Sequence, residues 1–397
     1  MNSLIPFNKP YIAGKELHYI AQAVTLGNIS GDGEFARRCT DIMEERFGIH
    51  KVLLTPSCTA ALELSAMLLD IQPGDEVIMP AYTFVSTANA FVRIGAKPVF
   101  VDIRSDTLNL DERLVEQAIT EKTKAIVPVH YAGVGCEMEL ISTIAKKYNL
   151  KIIEDAAQGV NAKYHDQYLG SIGELGCFSF HETKNFICGE GGAICLNSEE
   201  LVDRAHIIRD KGTNRQAFFQ GRVDKYTWCD IGSSFVLSEL NCAFLYAQLE
   251  MFDEITLRRK QIFDTYYQSL LPLEQSQQLR LPTISEDCVS NHHMFYILLP
   301  NKTVRDGLLK HLTLKHITAV FHFVPLHTSP MGNRLGYKSG DLPVSEQAGD
   351  CLLRLPFYYE ISLDEQKRVV REIHKYLSQN VSQLDSAQPL TLPASHP

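Results

Sequence analysis

From about residue 51 to residue 196 the chain alternates short apolar runs with segments of helical spacing. Val52-Leu53-Leu54, Val77-Ile78-Met79, Pro98–Ile103, Lys124–His130, Leu150–Glu154, Cys177–Phe180 and Gly192–Leu196 read as strands. Ala60–Leu69, Val85–Ile94, a helix opening near Asp111, Met138–Tyr148 and Glu199–Arg209 read as helices between and after them. Strands alternating with helices of this length predict an α/β fold with a mostly parallel sheet covered on both faces.

The flanks read differently. Lys15–Leu26 and a second helix ending at Phe47 surround a glycine-rich loop, Gly27–Gly33. Lys211–Ser234 is polar and aromatic without a period, a long loop of the kind that is usually functional. Leu237–Arg259 reads as one long helix leading to a second unit. That unit carries strands Met294–Leu299 and Ala319–Phe323 and helices Val304–Leu314 and Leu363–Leu377. Residues 1–250 are therefore expected to form a large domain and 251–378 a smaller α+β one. Ser378–Pro397 has no apolar period, so 379–397 is expected to be a disordered tail.

Composition narrows the function classes. At 397 residues, two domains are expected. A net charge of −9 and the absence of basic runs argue against nucleic acid as a partner. There is no apolar stretch long enough to cross a membrane, and MNSLIPFNKPYIAG has no charged segment followed by an apolar one, so a cytoplasmic location is expected. The ten cysteines are scattered with no C-x-x-C. His292-His293 and His322-x4-His327 come without a cysteine or carboxylate set, so no metal is expected.

The candidate chemistry centres on Cys177–Gly192, CFSFHETKNFICGEGG. Lys184 lies between a strand end and the turn Gly189-Glu190-Gly191-Gly192. A lysine held there suits a Schiff base with a carbonyl cofactor, pyridoxal phosphate; the alternative is a solvated surface lysine. Asp155, at the end of a buried strand, is placed to pair with a protonated pyridine nitrogen, or else to cap a helix. Ser57, Cys58 and Thr59 precede a helix whose free N–H groups suit a phosphate, with Ser179 able to add a hydroxyl; simple capping is the alternative. Phe84 stands at another strand-to-helix junction, as a stacking partner or a core residue.

In that order, S-C-T-A, E-D-A-A-Q, S-F-H-E-T-K and G-E-G-G resemble the DegT-type sugar-nucleotide aminotransferases, from Ile5-Pro6-Phe7 to about residue 377. The resemblance implies a fold-type I, aspartate-aminotransferase-like domain binding pyridoxal 5'-phosphate. It implies that Lys184 holds the cofactor covalently, Asp155 its ring nitrogen, and Ser57, Cys58, Thr59 and Ser179 its phosphate. Gln158 would lie beside the ring, Phe84 on it, and His327, in F-H-F-V-P-L-H with His322, toward the sugar nucleotide. Lysine rather than histidine at 184 favours transamination over dehydration. TPSCTA, MPAYTFVSTANAF, PVHYAG, SFHETKN and DKYTWCDIGSS resemble the branch that aminates C4 of a dTDP-4-keto-6-deoxyhexose with L-glutamate, giving a product with galacto configuration. A homodimer with shared active sites is implied as well. Many relatives have Gly-x-Asn at Gly232-Ser233-Ser234, where the Asn reaches the neighbouring subunit's cofactor phosphate; serine at 234 is shorter.

Other readings stay open at this point. The sugar could be a 3-keto or UDP-linked one. A cysteine desulfurase needs a mobile cysteine, and Cys288 and Cys351 lie in no glycine-rich loop. A cofactor-binding regulator without turnover would not need both Lys184 and Asp155. A nicotinamide-binding α/β domain would need a G-x-G-x-x-G after its first strand, which is absent.

Overall fold

The computed structural model describes residues 3–379. Its centre is a seven-stranded sheet: β1 (Lys51–Thr55), β2 (Glu76–Pro80), β3 (Lys97–Val101), β4 (Thr123–Ile126), β5 (Lys151–Asp155), β6 (Leu175–Ser179) and β7 (Gly192–Leu196). The strand order is β1-β7-β6-β5-β4-β2-β3. Every pairing is parallel except those of β7, which runs antiparallel to both β1 and β6.

Alternation along these strands builds two cores. Val52, Leu54, Ile78, Ile126, Ile152 and Phe178 face one layer. Their chain neighbours Leu53, Val77, Met79, Ala125, Ile153 and Cys177 face the other. Side chains of successive residues point to opposite faces, so near-continuous apolar strands are what a sheet buried on both sides requires. Helices α1 (Glu16–Leu26), α2 (Glu34–Phe47), α3 (Cys58–Leu68), α4 (Val85–Val92), α5 (Met138–Tyr148) and α6 (Val202–Arg209) supply covering layers. Ser57 starts α3 by accepting from the Ala60 N–H at 3.1 Å, and Asn149 ends α5 in the left-handed region at φ 54°.

The helix expected over Leu237–Arg259 is two helices, α7 (Glu239–Leu249) and α8 (Phe252–Gln275). The junction is held by Glu250, whose carboxylate accepts from Tyr19 Oη at 2.8 Å and Lys15 Nζ at 3.1 Å. The α7 helix packs on α1 and α2, whereas α8 leads to a third core that includes Ile262, Phe295, Leu308 and Ile373. A chain serving two cores changes direction between them. The third core also takes Ile5, which bridges to Ile317. The Lys211–Ser234 stretch is irregular apart from a short helix, Arg215–Phe219.

In the C-terminal region, β8 (Tyr296–Leu298) pairs antiparallel with β9 (Leu352–Arg354), and α9 (Lys302–Leu314) packs on α10 (Leu363–Gln379). The strand expected over Ala319–Phe323 reduces to one bridge, Val320 to Arg354. Helix α10 runs through Gln379, the first residue of the stretch expected as a tail; residues 380–397 lie outside those described. No described helix is long and apolar enough to cross a membrane.

Candidate active site

Four strands bring the sequence candidates to one end of the sheet. Asp155 ends β5 beside Cys177 of β6, while Gly192 of β7 lies between Thr55 of β1 and Ser179 of β6. The antiparallel run of β7 makes this possible, because its first residue meets the last residues of its neighbours. Gly192 packs against the Ser57–Cys58 backbone where a Cβ has no room, so glycine there is steric and not conformational.

At the start of α3 the Ser57 hydroxyl is spent on its own cap. The N–H groups of Cys58 and Thr59 find no acceptor among the described residues. Thr59 Oγ1 lies 2.7 Å from Ser86 Oγ, and Ser179 is buried close by. Free N–H groups at a helix start with hydroxyls around them suit a phosphate.

Lys184 sits in the hairpin between β6 and β7. Its N–H donates to His181 O at 2.9 Å, while Glu182 N–H reaches Gly189 O and Phe180 N–H reaches Gly191 O. The side chain is half-buried, and desolvation holds its ammonium below the usual lysine value, helped by the cationic Arg354 and opposed by Cys58 and Asp155. The next residue is clamped. Asn185 donates to Asn291 O at 2.9 Å, and its Oδ1 lies 2.9 Å from His293 Nδ1.

The Asp155 carboxylate is buried and aimed by two donors, Thr87 Oγ1 at 2.7 Å and the Ala157 N–H at 3.2 Å. The chain turns after Asp155 without forming a helix, so capping a helix is not its role. Below it, Cys136 N–H donates to His130 Nδ1 at 3.2 Å, which leaves Nε2 to donate to Glu154 at 2.9 Å. Glu154 also accepts from the N–H groups of Gly170, Ile172 and Gly173, fixing the strand end beneath Asp155.

Phe84, at the start of α4, is 58 % exposed and so offers an open ring face. Gln158 is buried, and its Oε1 accepts from the Ala132 N–H at 2.7 Å. His322 Nδ1 lies 2.6 Å from Tyr131 Oη, and the ring is kept neutral by burial, with Arg354 and Lys184 adding to that effect. His327 is fully buried and bonded to Glu346 at 3.0 Å. The two histidines of one run thus occupy different surroundings.

The sequence assigns no role to Thr87, Asn185, His293 or Tyr131, although Thr87, Tyr131 and Asn185 lie in segments that carry the resemblance and His293 in the His292-His293 pair. The only available hint was the one-turn spacing of Thr83 and Thr87, whose hydroxyls are 2.8 Å apart.

Burial holds four imidazoles neutral, with His206 and His292 each pulled down to about 4 and His293 and His322 well below the ordinary value. The unfolded chain takes up these protons below about pH 6.5 while the folded one does not, so stability is lost as pH falls from there. Thermal melts from pH 7.5 to 5 should show a decline approaching ~1.4 kcal/mol per pH unit for each such group. A flat profile would show that these rings are not held neutral.

A buried, aimed carboxylate, a desolvated lysine, an open aromatic face and a helix start with free N–H groups fit the ring nitrogen, aldehyde, ring and phosphate of pyridoxal phosphate. Comparisons with known proteins agree with that fit. A protein of Methanocaldococcus jannaschii, MJ1066, is 33% identical over 385 residues, covering 95% of this chain and 99% of its own. DesV of S. venezuelae, solved with a ketimine intermediate, is 28% identical with a TM-score of 0.86 over 95% of this chain and 99% of its own. Spr1654 of Streptococcus pneumoniae, described as a sugar aminotransferase, is 25% identical in its pyridoxal phosphate form, with a TM-score of 0.87 over 95% of this chain and 99% of its own. The sequence profile of one family matches residues 10–374. With the fold, the site and this match in agreement over almost the whole chain, the protein belongs to the DegT/DnrJ/EryC1/StrS aminotransferase family and is a pyridoxal-phosphate-dependent aminotransferase.

Proposed function

We propose that this enzyme moves the amino group of L-glutamate to the C4 keto group of a dTDP-4-keto-6-deoxyhexose in the cytoplasm, giving a 4-amino-4,6-dideoxyhexose of galacto configuration. The observation that carries the reading is the placement of its diagnostic segments. Thr55–Ala60, Met79–Phe91, the PVHYAG run ending at Gly133, and Ser179–Asn185 all border the basin around Lys184 and Asp155.

Pyridoxal phosphate, when bound, supplies a ring that accepts the electron pair left at the donor's α-carbon. The chain supplies the rest. Asp155 keeps the ring nitrogen protonated, and Thr87 fixes which oxygen faces it. Lys184 would hold the aldehyde and serve as the base, and its lowered pKa leaves an uncharged amine available nearer neutrality. Asn185 and His293 hold the backbone beside it. Cys58, Thr59 and Ser179 would hold the phosphate, and Phe84 would offer its open face to the ring. Gln158 fixes the turn that carries Tyr131, whose bond to His322 orients a neutral imidazole toward the sugar side.

A homodimer is part of the proposal. Phe219, Tyr226, Trp228 and Ile231 leave large apolar surfaces exposed, with Trp228 at 79 %, in the loop expected to reach a neighbour.

Incubation with glutamate and a panel of dTDP- and UDP-linked 3-keto and 4-keto sugars tests the substrate. Expected is formation of one dTDP-4-amino sugar, with NMR fixing C4 as the aminated carbon. Turnover confined to a UDP-linked or 3-keto sugar would replace this substrate.

A further inference from the structure

Neither nitrogen of His327 is open to a ligand. The ring is fully buried. Its Nε2 lies 3.0 Å from Glu346 Oε1, and its Nδ1 is sealed from solvent without a partner. A carboxylate only accepts, so Nε2 carries the proton and Nδ1 is a bare lone pair. Burying that lone pair costs stability, so the ring is kept for the bond it makes on its other side.

Glu346 gathers what that bond holds. It lies in the first turn of the helix Pro343–Cys351 and also accepts from Ser339 Oγ at 2.7 Å and the Gly340 N–H at 2.6 Å. Against desolvation, Ser339, His327 and Gly340 hold its carboxyl down to about 2. The same helix is fixed at its start by Asp102, just past β3. That carboxylate accepts from the N–H groups of Val344 and Ser345 at 2.9 and 2.8 Å and from the Ser345 hydroxyl at 2.6 Å. Midway, Tyr337 Oη accepts from the Phe100 N–H at 3.0 Å and donates to Pro98 O at 3.2 Å. These are backbone groups of β3, the edge strand of the central sheet. Residues 326–346 thus form a strap along that edge.

The other end of the strap reaches the active site. The Leu326 N–H donates to Ala81 O at 2.8 Å, just before Tyr82-Thr83-Phe84. Phe323, ahead of the strap, lies 5.6 Å from the Tyr82 ring and 6.4 Å from the Phe84 ring. Thr83 contacts Thr87, the donor to Asp155. Phe84 itself is open to solvent, so its place depends on the backbone beneath it.

We propose that His327 is a positioning residue: through Glu346 it locks the strap, and through Leu326 the strap fixes residues 81–87, so that Phe84 meets the cofactor ring and Thr87 meets Asp155. It takes no part in holding the sugar nucleotide, the place that its motif suggests. The inference rests on the aminotransferase reading above, with Phe84 facing the ring.

The test compares wild type with His327→Asn, His327→Gln and Phe84→Leu, both without cofactor and loaded with it. Glutamine carries an amide N–H near the place of Nε2, whereas asparagine falls short of Glu346. Without cofactor, His327→Asn should speed amide hydrogen exchange across residues 81–87 by about tenfold while leaving β5 unchanged. Loaded, it should weaken the circular dichroism of the bound cofactor. It should also slow the single-turnover reaction with glutamate, which involves no sugar, by roughly tenfold, the rate equivalent of one buried hydrogen bond. His327→Gln should bring all three back to within about threefold of wild type. Phe84→Leu should reproduce the dichroism change without the exchange change. Should His327→Asn not fold, Tyr337→Phe, which takes one hydroxyl from the same strap, replaces it with the same outcomes deciding. An effect confined to the keto-sugar KM would return His327 to the sugar and overturn the proposal, and a His327→Gln no better than His327→Asn would overturn it too. Wild type inert to every amino acid would defeat the aminotransferase reading, and unchanged dichroism in Phe84→Leu would defeat the ring assignment. If both behave as expected beside an unaltered His327→Asn, only this inference is lost.

Discussion

Lys184→Ala should abolish turnover, by ~10⁴-fold or more, and should also remove the yellow absorbance of a cofactor bound to an amine. The reason is that one side chain is asked to hold the cofactor and then to move the proton. His293 and His322, which feel the Lys184 charge, are both held neutral by burial and are bonded to Asn185 and Tyr131. The fold should survive the change. The hydrogen bond that shapes this turn is made by the Lys184 N–H, which alanine keeps, and removing a desolvated amine relieves a cost. Absorbance titration with the aldehyde, single-turnover rates with glutamate and a melting curve separate these effects. A variant that stays coloured and active would exclude Lys184 as the attachment point.

Asp155→Asn should follow, with a loss of roughly 10²–10³-fold in the half-reaction with glutamate, the rate equivalent of breaking a buried charge pair. Asparagine has nearly the same shape: its one carbonyl oxygen can keep the Ala157 N–H, its NH2 replaces the oxygen that faces Thr87, and the Thr87 hydroxyl turns to accept from it, so stability should fall only modestly. What is lost is the negative charge that keeps the ring nitrogen protonated. Glutamate binding should therefore weaken far less than the rate constant falls. Single-turnover kinetics at several donor concentrations read both quantities. A rate constant within a few-fold of wild type would remove Asp155 from the chemistry and leave it an organiser of the turn.

The strand-and-helix plan could be read because it is written locally. Val52-Leu53-Leu54 and Leu150–Glu154 announce buried strands by composition alone, and Ser57 announces a helix start by its neighbours. The break between α7 and α8 could not be read in the same way. No proline or glycine marks Glu250-Met251; the turn exists because Glu250 is held by Tyr19 and Lys15, more than 200 residues earlier in the chain.

The site divides along the same line. Lys184, Asp155 and the residues before α3 were visible in sequence order, since each lies at a junction with a recognisable local pattern. Sequence by itself determined the layered α/β plan and the cofactor, and singled out Lys184 and Asp155 as the candidates to hold it. Tertiary structure alone decided that β7 runs backwards to seat Gly192 against Ser57, that Thr87 aims Asp155, that Asn185 is clamped by His293, and that Arg354 lies over the Phe7 ring with its Nε buried and unbonded. Periodicity reports which face a residue turns inward. Whether a buried polar group is satisfied depends on what distant strands bring to it, and that is fixed only when the chain has closed on itself.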